Sequence, residues 1–278
     1  MTETAMATRR DPSPDEILRR NAVTVLGPES GEVIVFAHGY GTDQSLWRHI
    51  AEPFADERRV VLFDYVGSGA SDLSAYDESR YDSLEGYADD LIEVLDALGA
   101  SGVVLVAHSI SSMIGALVSI RQPELLREIV MVCPSPRYID DDDGYAGGFN
   151  RDDVQGLLTA LEANQPSWAT SVAPAVTARD DRPDVVDRVR SLYAETPQRV
   201  AVHFARVVFF SDLRRRLAEI PVHCTIVQPE GDIICPPHIG EYLHQHIPSS
   251  DLVRLRSAGH FVLLTEPELV SEVIREAL

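Results

Sequence analysis

The sequence predicts an α/β protein in which a mostly parallel central sheet is flanked by helices. Short runs rich in β-branched residues alternate with longer segments of helical periodicity, which is the pattern of an α/β sheet. The central runs are apolar nearly throughout, as strands buried on both faces should be. The alternation is interrupted once, by about 80 residues from 134 to 217 without a convincing strand, which predicts an inserted helical segment.

Seven segments are predicted strands, and four segments outside the insertion are predicted helices. The first of these helices has Asp82 and Glu85 at the spacing of a capping box, and Gly99 follows its end. Pro123 ends the second helix, and a proline begins each of the last two. The strands are Ala22–Leu26, Val33–Ala37, Val60–Phe63, Val103–Ala107, Ile129–Cys133, Cys224–Val227 and Leu252–Leu255, and the helices are Leu84–Leu98, Ile110–Arg121, Pro237–His246 and Pro267–Leu278.

The insertion predicts a cap of four helices laid over the carboxyl edge of the sheet. Its helical segments are separated by prolines and are too long together for a simple crossover between strands. We therefore expect a flexible N-terminal extension at 1–20, a core formed by 21–134 and 218–278, and a cap at 135–217, inserted before the strand at about 223–228. The four predicted helices are Arg151–Asn164, Ser167–Val176, Asp184–Tyr193 and Gln198–Phe209.

The charge balance narrows the classes of partner. The chain of 278 residues has 44 acidic and 24 basic residues and a net charge of -20, which disfavours nucleic acid and anionic membranes as partners. All basic residues are Arg, which excludes Schiff-base chemistry and a phosphate-binding lysine. No apolar run reaches the ~18 residues of a membrane span, and no signal peptide is visible, so we expect a cytoplasmic protein. The histidines lack ligand spacing, and we expect no metal and no cofactor.

Ser109 occupies the setting of a nucleophile elbow. The strand Val103–Ala107 runs almost directly into the helix that begins at Ile110. The residues two before and two after the serine, Ala107 and Ser111, are small, although neither is the usual Gly. The alternative is that Ser109 caps a helix after a strand, which is common.

Two further residues follow the ends of the last two strands. Asp232 comes after Cys224–Val227, and His260 comes after Leu252–Leu255. Taken alone, each could be an ordinary turn or loop residue. The chain order serine, aspartate, histidine is the order of an α/β-hydrolase, and the carboxyl ends of parallel strands meet at one edge. The sequence therefore predicts a catalytic triad of Ser109, Asp232 and His260 on an α/β-hydrolase fold.

The loop after the second predicted strand is a candidate oxyanion hole. Gly39 and Gly41 flank Tyr40 and allow the backbone to turn its N–H groups toward the active centre. The predicted donors are the amides of Tyr40 and Ile110. Above them, we expect the cap residues Phe149, Trp168, Phe204 and Phe209 to face Ser109. Ordinary helix packing is the alternative for these four, and we expect it to hold for at least half of them.

Six segments resemble the α/β-hydrolase group typified by the bacterial stress regulator RsbQ and by plant karrikin and strigolactone receptors. The resemblance implies the same triad and a V-shaped, four-helix cap over an apolar pocket. Tyr40 stands where Phe is usual and adds a hydroxyl at the pocket floor, Val172 stands where Phe is frequent, and Phe261 begins an unusually apolar segment after His260. The segments are His38–Trp47, Phe63–Asp72, Ser119–Leu125, Pro134–Tyr138, Gly147–Phe149 and Glu241–His246.

Two functions fit these observations. The first is a serine hydrolase that acts on a small hydrophobic ester or lactone. The second, implied by the resemblance, is a signalling regulator that binds or slowly hydrolyses a small hydrophobic ligand and activates a PAS-domain phosphatase. The triad cannot discriminate between them, because the signalling relatives keep it.

Overall fold

The computed structural model describes residues 12–278, in which seven strands form one sheet. Their order across the sheet is β1-β3-β2-β4-β5-β6-β7. β1 pairs with β3 in antiparallel fashion and every other pair is parallel, which confirms the predicted fold class. The strands are β1 (Thr24–Leu26), β2 (Val33–Ala37), β3 (Arg59–Leu62), β4 (Val103–His108), β5 (Leu126–Val132), β6 (His223–Gly231) and β7 (Ser250–Ala258).

Eleven α-helices accompany the sheet within the described residues. They are α1 (Pro14–Arg20), α2 (Arg48–Ala51), α3 (Leu84–Ala97), α4 (Ile110–Arg121), α5 (Arg151–Ala163), α6 (Gln165–Thr177), α7 (Pro183–Glu195), α8 (Gln198–Phe210), α9 (Pro237–His246), α10 (Val262–Thr265) and α11 (Pro267–Ala277). In this part of the chain, none is long and apolar enough to cross a membrane.

The sheet is buried on both faces. Successive residues of a strand point to opposite faces, so Val35 and Ala37 pack on one side while Ile34 and Phe36 pack on the other. All six residues of β4 are buried, since this strand lies in the middle of the sheet. This explains why the central strands read as unbroken apolar runs.

The cap, which we define as helices α5–α8, lies between β5 and β6 in the chain. Asn150 begins α5, where its side chain accepts the amide of Asp153, and Asn164 likewise accepts the amide of Ser167 in α6. Pro183 occupies the first turn of α7. The helices begin and end within two residues of their predicted limits.

Besides differences in strand limits, such as β6 and β7 extending beyond their predicted ends, the structure differs from the predictions at α1 and at the start of α3. Residues 14–20 form a helix where a flexible extension was expected, with a capping box between Ser13 and Glu16. Arg20 anchors this helix through ion pairs with Asp90 and Glu93 on α3. The expectation for residues 1–11 lies outside the described residues. At α3 the N-cap residue is Ser83, not Asp82, and its side chain makes no capping hydrogen bond.

Candidate active site

Ser109 stands in a strained turn between β4 and α4. Its backbone has φ 57° and ψ -125°, a conformation that a non-glycine residue adopts only where its surroundings impose it. Its side chain makes no capping hydrogen bond with α4, which argues against the helix-cap alternative. Ser111 donates to the carbonyl of His38, and Ser112 donates to that of Ala107 at 3.1 Å, so both flanks of the turn are fixed.

The three predicted side chains form one hydrogen-bonded chain. His260 Nε2 lies 2.8 Å from Ser109 Oγ, and His260 Nδ1 lies 2.8 Å from Asp232 Oδ2. All three residues are buried. The spacing allows Ser109 to donate its proton to Nε2 while Asp232 accepts the proton on Nδ1, which fixes one imidazole tautomer.

Asp232 is held by backbone amides at the end of β6. Its Oδ1 accepts from the amides of Ile234 at 2.8 Å and Cys235 at 3.1 Å, which leaves Oδ2 to face His260. β6 extends to Gly231, so Asp232 directly follows the strand. The two neighbouring acids lie elsewhere: Glu230 is exposed, and Asp251 is exposed beside His223.

His260 is fixed through its backbone as well as its ring. Its carbonyl accepts from His108 Nε2 at 2.9 Å, and its amide donates to the carbonyl of Val176 at the end of α6 at 2.7 Å. Burial lowers the pKa of His108 well below its usual value, so this imidazole is neutral and Nε2 carries the donated proton. His108 was not predicted from the sequence, although its place next to Ser109 was the available signal.

The glycine loop passes close above Ser109. A Cβ on Gly39 would lie 3.2 Å from the Cβ of Ser109 and 2.9 Å from His108 Nδ1, so a larger residue would press on the elbow. Ile110 is the first residue of α4, and its amide is one of the N-terminal helix amides that have no intrahelical acceptor. The structure thus brings the loop of Tyr40 close to Ser109, which directly precedes the start of α4.

A cavity of about 190 Å³ opens above the serine. Ser109, His108 and His260 form its floor, and most of its wall is apolar. Five of the six predicted pocket residues line it, namely Phe149, Trp168, Val172, Phe209 and Phe261. A larger groove of about 590 Å³, lined among others by Asp43, Arg48 and Glu195, contains none of the triad residues.

Comparison with known proteins identifies the family. The profile of the alpha/beta hydrolase family matches residues 34–273. The chain belongs to this family. This chain is 38% identical to the karrikin insensitive 2 receptor CA of Petunia hybrida over 255 residues, which cover 91% of this chain and 93% of that protein. It is 36% identical to a strigolactone esterase of Arabidopsis thaliana over 268 residues, 96% of this chain and 99% of that protein.

A solved structure agrees with these relatives. A hydrolase from Oleispira antarctica superposes with a TM-score of 0.92 at 33% identity, covering 95% of this chain and 97% of its own. The predicted resemblance to the karrikin and strigolactone receptor group is therefore confirmed.

Phe204 is the predicted pocket residue that the structure places outside the cavity lining. Its ring stacks on Tyr87 with centroids 4.2 Å apart and meets Tyr40 edge-on, so it packs α8 of the hydrolase against the core. Three of the four aromatics expected to face Ser109 line the cavity, whereas at least half were expected to serve only in packing. Both faces of α8 carry apolar residues, so helical periodicity does not indicate which face lines the cavity.

The hydroxyl of Tyr40 also differs from the prediction. It does not add a polar group at the pocket floor, because it donates to the carbonyl of Ala201 on α8 at 3.1 Å. Its ring still lines the cavity. The next residue, Gly41, has φ 67°, and a Cβ there would lie 2.6 Å from the ring of Tyr193. Glycine at this position therefore lets the loop pack closely against Tyr193 of the cap.

Tyr138 is a further residue of the site that sequence reasoning missed. Its hydroxyl lies 3.5 Å from Ser109 Oγ, at the limit of a hydrogen bond. The residue is fully buried, and burial raises the pKa of its hydroxyl well above the usual value, so the group stays protonated. Tyr138 lies in one of the six segments that carry the family resemblance, which was the available signal.

Two groups of potential metal ligands overlap the same site. The ligand atoms of His108, Cys133 and His260 lie within 4.8 Å of one another, as do those of Asp232, Cys235 and His260. Both ring nitrogens of His260 are already hydrogen-bonded, to Ser109 and Asp232. Burial raises the pKa of both thiols well above the usual value, whereas a metal ligand must be a thiolate. The absence of a metal therefore stays a prediction.

Proposed function

We propose that this chain is a serine hydrolase that acts on small, uncharged, hydrophobic esters or lactones. The observation that carries the proposal is the hydrogen-bonded chain from Ser109 through His260 to Asp232 at the floor of an apolar cavity. Membership of a hydrolase family and similarity to an esterase support the same reaction class. The cavity gives the ester its binding surface, and the floor gives it the reacting groups.

The reaction begins with attack of Ser109 Oγ on the carbonyl carbon as His260 Nε2 takes the hydroxyl proton. Asp232 stabilises the resulting imidazolium through its hydrogen bond to Nδ1. The imidazolium then gives its proton to the leaving alkoxide, and Ser109 retains the acyl group. In a lactone the alkoxide stays attached to that acyl group. Water, activated by the same imidazole, releases the acid and restores the serine.

The oxyanion of the tetrahedral intermediate needs donors that are already in place. We assign this role to the amides of Tyr40 and Ile110, because the glycine loop and the start of α4 meet beside Ser109. Removal of one such donor in other hydrolases costs about 10²–10³ in turnover. The strained backbone of Ser109 serves this geometry, since it projects Oγ beyond the strand end while Ile110 starts the helix.

The cavity wall sets the charge of the substrate. No Arg side chain lines the cavity within the described residues, and the whole sequence contains no Lys. A carboxylate in the ligand would therefore lose its hydration without gaining a cationic partner, which is unfavourable. The net charge of -20 repels anions from the surface as well. Neutral esters and lactones meet neither penalty.

The second candidate function is signalling, in which the same cavity binds or slowly turns over a ligand. The 38% identity to a protein named as a receptor favours it. In this case a PAS-domain phosphatase is the partner that the RsbQ resemblance implies. Rapid turnover of simple esters by the purified chain alone would favour the enzyme, whereas a phosphatase that copurifies with the chain would favour the regulator.

The test is the Ser109→Ala variant. We expect it to lose hydrolysis of a neutral short-chain ester and labelling by a fluorophosphonate, because both require the serine oxygen. Ser119→Ala is the matched control: this serine is also buried on α4, but its hydroxyl donates to the carbonyl of Ala116 at 2.8 Å, away from the cavity. Labelling of the Ser109→Ala variant at the wild-type rate would refute the proposal.

A further inference from the structure

The cap touches the catalytic base directly. The amide of His260 donates to the carbonyl of Val176, the penultimate residue of α6, at 2.7 Å. Gly259 has φ 87°, and a Cβ there would lie 2.1 Å from the carbonyl oxygen of Thr177. The backbone before His260 therefore lies in contact with the end of this cap helix.

The same helix forms part of the cavity wall. Five residues along α6 face the cavity: Trp168, Ser171, Val172, Ala175 and Val176. Any displacement of the end of α6 consequently changes the cavity and the hydrogen bond to His260 together. The position of His260 therefore depends on the position of the end of α6.

One ion pair fastens the end of α6 to the core. Arg179, two residues after the helix, forms a salt bridge with Glu266, which follows α10. α10 begins two residues after His260, so the pair joins the cap to the segment that carries the base. Asp181 holds the guanidinium of Arg179 through two hydrogen bonds, at 2.8 and 3.0 Å, which orients it toward Glu266.

We propose that the Arg179–Glu266 ion pair is a positioning pair for His260. Neither side chain touches the reacting atoms: the pair keeps α6 against the His260 loop, and α6 keeps the imidazole in line with Ser109. This inference rests on the proposed serine hydrolase function. It predicts that loss of the pair lowers kcat by a larger factor than it changes the KM for a small ester, because the carbonyl of Val176 contacts the base directly and only the end of α6 moves in the cavity wall.

The test compares Arg179→Gln, Glu266→Gln and the double variant. Both side chains are partly exposed, with 25% and 31% of their surface accessible, so the variants should fold. We expect kcat to fall by about fivefold, the upper range for a partly exposed ion pair. The double variant should be no slower than the single variants, since they remove the same interaction. Arg179→Lys should recover most of the loss.

Arg182→Gln is the matched control. Arg182 makes the same two-bond contact with the acid two residues later, Asp184, but no ion pair joins it to the core among the described residues. Its kcat should stay within twofold of wild type. A kcat for Arg179→Gln equal to that of Arg182→Gln, in an active enzyme, would overturn the proposal.

Hydrogen exchange provides a readout that does not depend on catalysis. The amide of His260 should exchange about fivefold faster in Arg179→Gln than in Arg182→Gln, because its acceptor is the carbonyl of Val176. Unchanged exchange would overturn the positioning role even if the chain hydrolyses no ester. If the wild type is inactive and fluorophosphonate does not label it, the proposed hydrolase function is refuted. Faster exchange in Arg179→Gln would in that case still support the effect of the ion pair on the hydrogen bond between His260 and Val176.

Discussion

At the edge of the sheet, Ser109, Asp232 and His260 each stand at or just beyond the end of a strand, whereas the cap reaches the same site through helix faces and backbone contacts. A strand end is held by hydrogen bonds to its neighbours, on both sides for β4 and β6 and on one side for β7, the edge strand that precedes His260. A cap helix is held by side-chain packing and a few polar contacts, such as those of Val176 with His260 and Tyr40 with Ala201. The carboxyl edge of the sheet therefore supplies the reacting side chains. The cap determines how firmly these side chains are held and which ligand reaches them.

The largest expected effect comes from the sheet edge. Asp232→Asn should leave the fold intact but lower kcat by about 10⁴, because the amide would favour the wrong tautomer of His260. The measurement is kcat on a neutral ester, with circular dichroism to verify folding. Glu230→Gln is the control, since Glu230 is exposed two residues earlier. Near-normal turnover of Asp232→Asn together with loss in Glu230→Gln would move the acid to Glu230.

Sequence reasoning could assign residues to the sheet edge for a physical reason. Buried parallel strands appear in the sequence as continuous apolar runs. The residue that follows such a run lies at the carboxyl edge of the sheet. Ser109, Asp232 and His260 could therefore be placed together from chain order alone. The amides that hold Asp232 and the contact of His108 with the carbonyl of His260 depend on local backbone geometry, which residue types do not encode one by one.

In the cap, sequence reasoning found the helices but not the direction of each face. Phe204 and Phe209 both lie on α8, yet one packs on Tyr87 and the other lines the cavity. Periodicity gives an apolar face for each helix, but the cap has two surfaces to cover, the core and the ligand cavity. The helix at residues 14–20 was missed for a related reason. Its sequence is mostly polar, and its anchor is the ion pair of Arg20 with Asp90.

The two faces of α8 can be separated by truncating one aromatic on each. Phe204→Ala should lower the free energy of unfolding by about 3–5 kcal/mol, because it removes a buried ring that stacks on Tyr87. Phe209→Ala should cost less stability, since this ring is only partly buried, and should raise KM for a hydrophobic ester. Urea unfolding and steady-state kinetics measure the two quantities. Equal changes in KM for both variants would contradict the assignment of the faces.

The smallest expected effect tests whether the cap also steadies the oxyanion loop. Tyr40→Phe removes one oxygen, and with it the hydrogen bond at 3.1 Å to the carbonyl of Ala201 on α8. A neutral hydrogen bond of this kind contributes about 1 kcal/mol, so we expect kcat to fall by about two- to fivefold while KM changes little. We expect kcat to fall because the amide of Tyr40 is the proposed oxyanion donor. Without the hydroxyl, the loop that carries this amide would be held less firmly against the cap.

Tyr76→Phe is the matched control for this last prediction. Its hydroxyl also joins the core to α8, lying 2.7 Å from His203 Nδ1, but no part of Tyr76 lines the cavity. Both variants should lose a similar amount of unfolding free energy in urea, because each removes one hydrogen bond between the core and the same helix. Only Tyr40→Phe should lose turnover. A parallel loss of kcat in both variants would mean that the seating of α8 as a whole, and not the Tyr40 contact, steadies the oxyanion loop.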